Sequence, residues 1–200
     1  MDDTRITLLT RLRDQSDERS WEEFALAYRP YILALLRRFG MNFHDAEDLA
    51  QEVLLKAWRS LPDYHHRGSG CKFRTWLGII CRNAVRSLVR SREARVERES
   101  QELVAAASCT EAEVEALAEK EWRDSITAIA WNHVRSRFSE TVQQCFLLSS
   151  EGLSSLEIGT RLGLADSSVR VNKQRVTAAL YKELVRLDSY LGDGQGGESS

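Results

Sequence analysis

The chain has 200 residues, of which 42% are hydrophobic and 29% charged, a balance typical of a folded globular protein and not of a disordered one. No apolar run approaches the roughly 20 residues that cross a bilayer, and the N-terminal residues lack the basic start and apolar stretch of a signal peptide. We therefore expect a cytoplasmic protein with no membrane partner. Only two prolines occur and β-branched runs are scarce, so the sequence predicts helix nearly throughout.

The net charge of −2 conceals an uneven distribution of charge along the chain. Residues 64–98 contain 9 basic and 2 acidic side chains, a net +7, whereas residues 99–124 contain 2 basic and 8 acidic ones, a net −6. Local potential is what attracts phosphate, so the small total charge does not exclude nucleic-acid binding. The net positive charge of residues 64–98 predicts a nucleic-acid-binding surface.

The residues that carry enzymatic or metal chemistry form no recognisable set. The four cysteines are scattered without a Cys-x-x-Cys pair, which predicts free thiols. His65, His66 and Cys71 do not complete a four-ligand zinc site. Neither a nucleotide-binding loop nor a nucleophile constellation stands out. We therefore predict that the protein is not an enzyme and holds no metal and no cofactor.

Two helices are predicted early in the chain. A capping-box pattern at residues 20–23 predicts the start of the first, Pro30 predicts a bend or a break in it, and Gly40 predicts its end. The second covers residues 45–61 and has an acidic outer face. Its apolar residues follow helical spacing without a miss: Ala46, Leu49, Ala50, Val53, Leu54, Ala57, Trp58 and Leu61.

An arginine-rich helix is predicted over residues 73–90. Four arginines fall on one i, i+4 row, from which only Gly78 is missing, and we call them the arginine row: Arg74, Arg82, Arg86 and Arg90. The predicted inner face consists of Phe73, Trp76, Leu77, Ile80, Ala84 and Leu88. Few acidic residues lie nearby in the sequence, so phosphate is favoured over a salt-bridged surface as the partner of this row.

The pattern predicts an all-α protein of two small helical domains joined by a flexible linker. The first domain covers residues 1–95. Residues 96–118 are polar, acidic and alanine-rich, and predict the linker. Residues 119–190 predict the second domain, with Trp122 in its core, and residues 191–200 predict a disordered tail.

The second domain contains a helix-turn-helix pattern. Residues 152–163 predict a short helix that Ser154 or Ser155 caps, and Gly163 supplies the left-handed turn between two crossing helices. The next helix is predicted to expose five side chains near its start: Ser168, Arg170, Val171, Gln174 and Arg175. Arginine and glutamine suit guanine and adenine edges, so this face predicts DNA reading.

Two parts of the chain resemble one protein family. The stretches DAEDLAQEV at residues 45–53 and FRTWLGIICRN at residues 73–83 resemble region 2 of bacterial RNA polymerase sigma factors. Residues 151–158 and 169–176 resemble region 4, and regions 1.1 and 3 have no counterpart, as in the extracytoplasmic-function (ECF) group. The resemblance implies a sigma factor that binds core RNA polymerase, reads the −35 element of a promoter and melts its −10 element.

The resemblance also implies which residues make each contact. The helix over residues 45–61 would dock on a coiled coil of the polymerase β′ subunit through Asp48, Gln51, Glu52, Leu55 and Arg59. The −10 element would contact Tyr64, His65, His66, Arg67, Lys72, Arg82, Asn83, Arg86 and Arg90. The five exposed residues of the helix-turn-helix would contact the −35 element. The second domain would also meet the polymerase β flap.

Three residues depart from the family pattern. Lys173 stands where an aliphatic side chain is usual, Val171 where a small polar one is usual, and Gly159 where alanine is usual. These departures bear on the −35 preference and not on the fold.

Other interpretations of the sequence stay open. The runner-up is a helix-turn-helix regulator that binds DNA as a dimer without polymerase. Without the resemblance, the acidic helix face would be an ordinary solvated surface, and the acidic linker either follows the RNA-exit path of polymerase or is a plain tether. An anti-sigma factor would be a further partner, which the sequence does not identify.

Overall fold

The computed structural model describes residues 7–14, 16–64, 72–93 and 108–191. Within these ranges the secondary structure is entirely helical, which confirms the predicted all-α class. The α-helices are α1 Leu8–Arg11, α2 Glu18–Arg38, α3 Phe43–Ser60, α4 Phe73–Glu93, α5 Glu111–Val134, α6 Glu140–Ser150, α7 Ser155–Leu162 and α8 Asp166–Leu191. Short 3-10 turns follow α3 at Leu61–Asp63 and α5 at Arg135–Arg137. None of the described helices combines the length and the apolar character needed to cross a membrane.

The start of α2 differs from the prediction. The capping-box pattern placed it at Ser20, but the helix begins at Glu18 because the side chain of Asp17 accepts the Ser20 backbone N–H at 3.0 Å. The helix then runs through Pro30 without interruption. It ends as predicted before Gly40, which has a φ of 82°, a left-handed conformation that costs glycine little.

The chain divides into two compact units, Met1–Ser125 with Ser189–Ser200 and Ile126–Asp188. The predicted linker ended at residue 118, whereas α5 already begins at Glu111. Thr110 caps the helix start by accepting the Glu113 N–H at 3.3 Å, and Val114 and Ala118, one turn apart, are both fully buried in the first unit. The rest of the predicted linker, before residue 108, and the predicted tail from residue 192 lie outside the described residues.

The first unit has a core of packed aromatic rings. Tyr28 of α2 stacks on Phe24 at 4.5 Å between ring centroids and meets Phe73 of α4 edge to face at 5.4 Å. Trp122 of α5 stacks on Tyr28 at 5.1 Å and meets Tyr31 edge to face at 5.7 Å. The prediction that Trp122 belongs to the second domain is therefore wrong, because its ring completes the aromatic core of the first.

The second unit is organised around a small apolar cluster of Cys145, Ile158 and Val169, on α6, α7 and α8. Four partly buried leucines pack against it: Leu148, Leu153, Leu162 and Leu164. Its helix-turn-helix has the predicted local signals. Ser154 and Glu157 form a reciprocal capping box at the start of α7, and Gly163 ends that helix with a φ of 68°.

The structure explains why residue 159 is glycine where the family usually has alanine. The backbone of the turn approaches α7 so closely that a β-carbon on Gly159 would lie 2.6 Å from the carbonyl oxygen of Leu164. The same approach lets the Leu164 N–H donate to the Gly159 carbonyl at 2.9 Å. Glycine therefore permits the close contact between helix and turn.

Candidate nucleic-acid interface

The outer face of α3 presents the five residues predicted to bind core polymerase. Asp48, Gln51, Glu52, Leu55 and Arg59 are all exposed. They follow i, i+3 and i+4 spacing and so share one side of the helix. The opposite side carries the buried Ala50, Val53 and Ala57. Leu55 is 47% exposed among polar neighbours.

The loop before α4 is described only at its two ends. Tyr64 is partly buried, with its ring 5.0 Å from that of Trp76 and 5.3 Å from that of Phe73. Phe73 is 1% exposed, which confirms the prediction that it belongs to the core. His65, His66, Arg67 and Cys71 lie outside the described residues.

Three side chains of the arginine row contact residues 109–119, which comprise the start of α5 and the two residues before it. Arg82 is buried and donates through Nη1 to the carbonyl oxygen of Cys109 at 3.1 Å. Arg86 donates through Nη2 to the same oxygen at 3.4 Å. Arg90 at the end of the row is exposed. The guanidinium groups of Arg82 and Arg86 are thus engaged with the protein's own backbone.

Arg74 corrects the expectation that the row lacks acidic partners. Its Nε lies 2.7 Å from Oε2 of Glu119, and Nζ of Lys72 lies 3.5 Å from the same oxygen. The pairing was not predicted because the Arg74–Glu119 contact joins residues 45 positions apart. Burial raises the pKa of Glu119, but the hydrogen bond and charge of Arg74, with a further contribution from Lys72, outweigh it and hold the pKa below its ordinary value.

Gly78 explains why α5 can approach the row. A β-carbon at this position would lie 3.2 Å from Cγ1 of Val114 and 3.4 Å from Cβ of Ala118. The one gap in the arginine series is therefore the point at which α5 lies against α4. What glycine provides here is space and not an unusual backbone conformation, since its φ is in the ordinary helical range.

The outward face of α4 carries the other predicted residues of this helix. Asn83, Ser87 and Arg90 are exposed, and Lys72 is exposed just before the helix. Because the Lys72 ammonium also contacts Glu119, the face available to a nucleic acid in this conformation centres on Asn83 and Arg90.

The recognition face of the helix-turn-helix has the predicted exposure. Ser168, Arg170, Val171, Gln174 and Arg175 are all exposed. Arg170 forms an i, i+4 ion pair with Asp166 at 2.6 Å, which orients its guanidinium near the start of α8. Lys173 is partly buried, in keeping with a side chain that covers apolar surface with its stem.

The described cysteines are free thiols. Cys81 and Cys145 are buried and Cys109 is partly buried. Burial strongly raises the pKa of the Cys81 thiol, which disfavours the reactive thiolate. Among the residues that the structure describes, no group of histidine, cysteine and carboxylate side chains could hold a metal ion.

Comparison with known proteins shows a likeness to RNA polymerase sigma factors. Sigma-70 region 2 matches residues 24–95, which include all of α3 and α4. The probable RNA polymerase sigma factor RfaY of Xanthomonas campestris pv. campestris is 30% identical over 176 residues, which cover 86% of this chain and 42% of the relative. The ECF RNA polymerase sigma factor SigG of Mycobacterium tuberculosis is 36% identical over 85 residues, 42% of this chain and 22% of the relative. The chain thus contains a segment that matches sigma-70 region 2, and it is similar to RNA polymerase sigma factors, among them factors of the ECF group.

The share of each relative that the chain covers differs among these sigma factors. The chain spans less than half the length of the Xanthomonas and Mycobacterium proteins. It spans 96% of the RNA polymerase sigma-H factor of Pseudomonas aeruginosa, with 28% identity over 190 residues and 88% of this chain covered. A solved structure of CnrH in complex with the cytosolic domain of CnrY matches at 22% identity over 90% of this chain and 96% of that one. Its TM-score of 0.35 is too low to carry an argument.

Proposed function

We propose that the chain is a sigma-70 family member that binds core RNA polymerase and directs promoter-specific initiation of transcription. The observation that carries the proposal is the exposed face of α3, which lies within the segment that matches sigma-70 region 2. The exposed arginine and glutamine side chains of α8 support a second contact with promoter DNA. The proposal requires no covalent chemistry.

The contact with polymerase would be made by α3. Asp48 and Glu52 give its outer face negative charge, and Leu55 adds an apolar centre. A coiled coil of the polymerase β′ subunit is the partner that the family resemblance implies, and complementary charge would orient the encounter. The second unit would contact the β flap.

The contact with the −10 element would be made by the end of the loop and by α4. Single-stranded nucleic acid is held by cations that track the backbone and by aromatic rings on which bases stack. Asn83 and Arg90 are exposed for the first purpose, and Tyr64 has its ring at the edge of an aromatic cluster. Lys72, Arg82 and Arg86 would join them when their contacts with residues 109–119 are released.

The −35 element would be read by the start of α8. Arg170, Gln174 and Arg175 can donate to base edges in the major groove, and each good bidentate pair contributes about 1–3 kcal/mol of discrimination. Val171 offers a methyl surface that suits the thymine C5-methyl group. Polymerase would hold both DNA contacts on one duplex, so their binding energy could stabilise unpaired bases at the −10 element.

The test is a binding and transcription assay with bacterial core RNA polymerase. The purified chain should form a complex with core enzyme at low salt and support initiation from a promoter library. Replacing Asp48 and Gln51 together with alanine should weaken the complex by at least about tenfold. Glu22→Ala, an exposed acidic change on α2, is the matched control and should leave binding unchanged.

The same assay separates the proposal from a polymerase-independent regulator. A dimeric helix-turn-helix regulator would bind a palindromic duplex without core enzyme and would be indifferent to the α3 substitutions. A correctly folded chain that ignores core enzyme at low salt would exclude the sigma-factor role.

A further inference from the structure

We propose that residues 109–119 form an intramolecular competitor that occupies the arginine row of α4 and must leave it before a DNA strand can bind there. The inference rests on the proposed function, because it assumes that α4 contacts DNA. It concerns only the first unit, to which both segments belong.

The contacts between the competitor and α4 use the groups that a phosphate would use. Arg82 and Arg86 both donate to the carbonyl oxygen of Cys109. Arg74 and Lys72 both lie against a carboxylate oxygen of Glu119. Guanidinium and ammonium groups bind phosphate through these same donors, so the docked segment and a DNA backbone exclude one another.

Residues 109–119 pack closely against α4 at Gly78. Val114 and Ala118 lie over Gly78, where any larger residue would meet them at 3.2–3.4 Å. Both are fully buried, whereas the intervening Glu115 is exposed. The apolar part of the contact is therefore narrow, and it lies between the Arg74–Glu119 ion pair and the hydrogen bonds to Cys109. Within residues 109–119 only Val114 and Ala118 are buried, so this part of the chain can separate from α4 at modest cost while Trp122, further along α5, stays in the aromatic core.

Two features favour a reversible contact over a permanent one. Arg82 is 6% exposed and its Nε has no hydrogen-bond partner among the described residues, so docking leaves a buried donor unsatisfied there. The start of α5 is also stabilised locally, since the Thr110 N–H donates to the Glu113 carboxylate at 2.7 Å and the Glu113 N–H donates to Thr110 Oγ1 at 3.3 Å. This reciprocal cap uses no group of α4, so the helix start can persist after it separates.

The charge of the segment explains why DNA would displace it instead of binding beside it. Residues 109–119 contain four acidic and no basic side chains, a net charge of −4, and Glu111, Glu113 and Glu115 are exposed at the start of α5. The negative charge of an approaching phosphate backbone would repel residues 109–119 and attract the arginine row of α4. Occupation of the row by DNA would therefore shift the population toward the undocked state.

A reversible cross-link tests the inference directly. Because a β-carbon at Gly78 would lie 3.4 Å from Cβ of Ala118, Gly78→Cys combined with Ala118→Cys brings two thiols close to disulfide geometry. The full chain carrying both changes would be titrated with a labelled single-stranded oligodeoxynucleotide, oxidised and then reduced. The oxidised form should bind about tenfold more weakly than the reduced form, and a reductant should restore binding. The two variants that carry only one of the added cysteines, handled identically, should show no change in DNA binding on oxidation.

A charge-matched pair supplies a second measurement without a cross-link. Glu119→Gln removes the carboxylate that holds Arg74 and Lys72, while Glu115→Gln removes the same charge from an exposed position of the same helix. Competition predicts that Glu119→Gln raises affinity for the oligodeoxynucleotide about fivefold more than Glu115→Gln does.

The outcomes separate the two proposals. Equal DNA binding by the oxidised and reduced forms, with equal effects of the two glutamine changes, overturns the competition and leaves the sigma-factor role standing. Absence of DNA binding by every form, including the reduced one and the complex with core polymerase, overturns both.

Discussion

Nδ1 of His133 lies 2.8 Å from Oε1 of Glu183, an ion-pair geometry between α5 and α8 within the second unit. Arg186 donates to the same carboxylate, with Nη2 2.7 Å from Oε1. The Glu183 side chain is only 9% exposed, so these partners satisfy a carboxylate that has little access to water.

This carboxylate should make the stability of the second unit depend on acid pH. The Arg186 hydrogen bond, opposed by burial and aided by His133, lowers the pKa of Glu183 from 4.5 to about 2. A pKa that is lower in the folded state contributes stability above the unfolded value, and that stability is lost as pH falls from about 4.5 to about 2. Glu183→Gln should therefore reduce the free energy of unfolding at pH 7 by about 2 kcal/mol, and the difference from the native protein should shrink across that window. Denaturant unfolding at a series of pH values would measure it, and a difference that is constant with pH would contradict the assignment.

Gly159→Ala should destabilise the helix-turn-helix. The added β-carbon would fall 2.6 Å from the Leu164 carbonyl oxygen, and backbone must shift to relieve the contact. We expect a loss of about 1–3 kcal/mol in the free energy of unfolding, although alanine is the better helix former. Thr160→Ala, an exposed change on the same helix, is the control and should change stability by less than about 0.5 kcal/mol. An alanine variant as stable as the native protein would mean that the turn is looser than described.

Arg170 and Arg175 should be required for use of the −35 element. Replacing both with alanine should reduce transcription from a promoter that depends on this element by about 10-fold or more, because each base contact contributes about 1–3 kcal/mol. Lys182→Ala removes an exposed cation further along α8 and provides the control. In vitro transcription with core polymerase, on templates with and without the element, measures the effect. If the double variant transcribed both templates normally, the reading face would lie elsewhere.

Arg90 should contribute to the salt dependence of DNA binding. Each phosphate contact to a single strand contributes about 0.7 to the slope of log affinity against log salt concentration. Arg90→Ala should flatten that slope by about this amount in the complex with core polymerase. Arg37→Ala, an exposed change on α2, should not. An identical slope for Arg90→Ala and the native protein would show that this side chain does not meet a phosphate.

Local signals in the sequence predicted α3 and the helix-turn-helix well. The apolar stripe of α3 has no interruption. Ser154 marks the start of α7 and Gly163 marks its end. Each of these helices is therefore encoded by residues within a few turns of one another. The start of α2 was displaced because two cap residues, Asp17 and Ser20, compete within one turn.

The sequence did not predict where α5 starts or that residues 109–119 contact the arginine row, because both depend on residues far apart in the chain. Val114 and Ala118 are small, and the acidic residues around them conceal the stripe they form. The ion pair between Arg74 and Glu119 joins positions that no local pattern relates. One signal was present in the sequence: a glycine that interrupts a regular row of long side chains marks a place where another helix can lie close.

The first unit draws on both ends of the chain, which bears on the order in which the protein folds. Tyr28 donates to the carbonyl of Leu191, 163 positions later, and Arg11 donates to the hydroxyl of Tyr190 at 2.7 Å, 179 positions later. Contacts that close such long loops form late and slowly. During synthesis on the ribosome, this part of the molecule acquires its last native contacts only after the second unit has been translated.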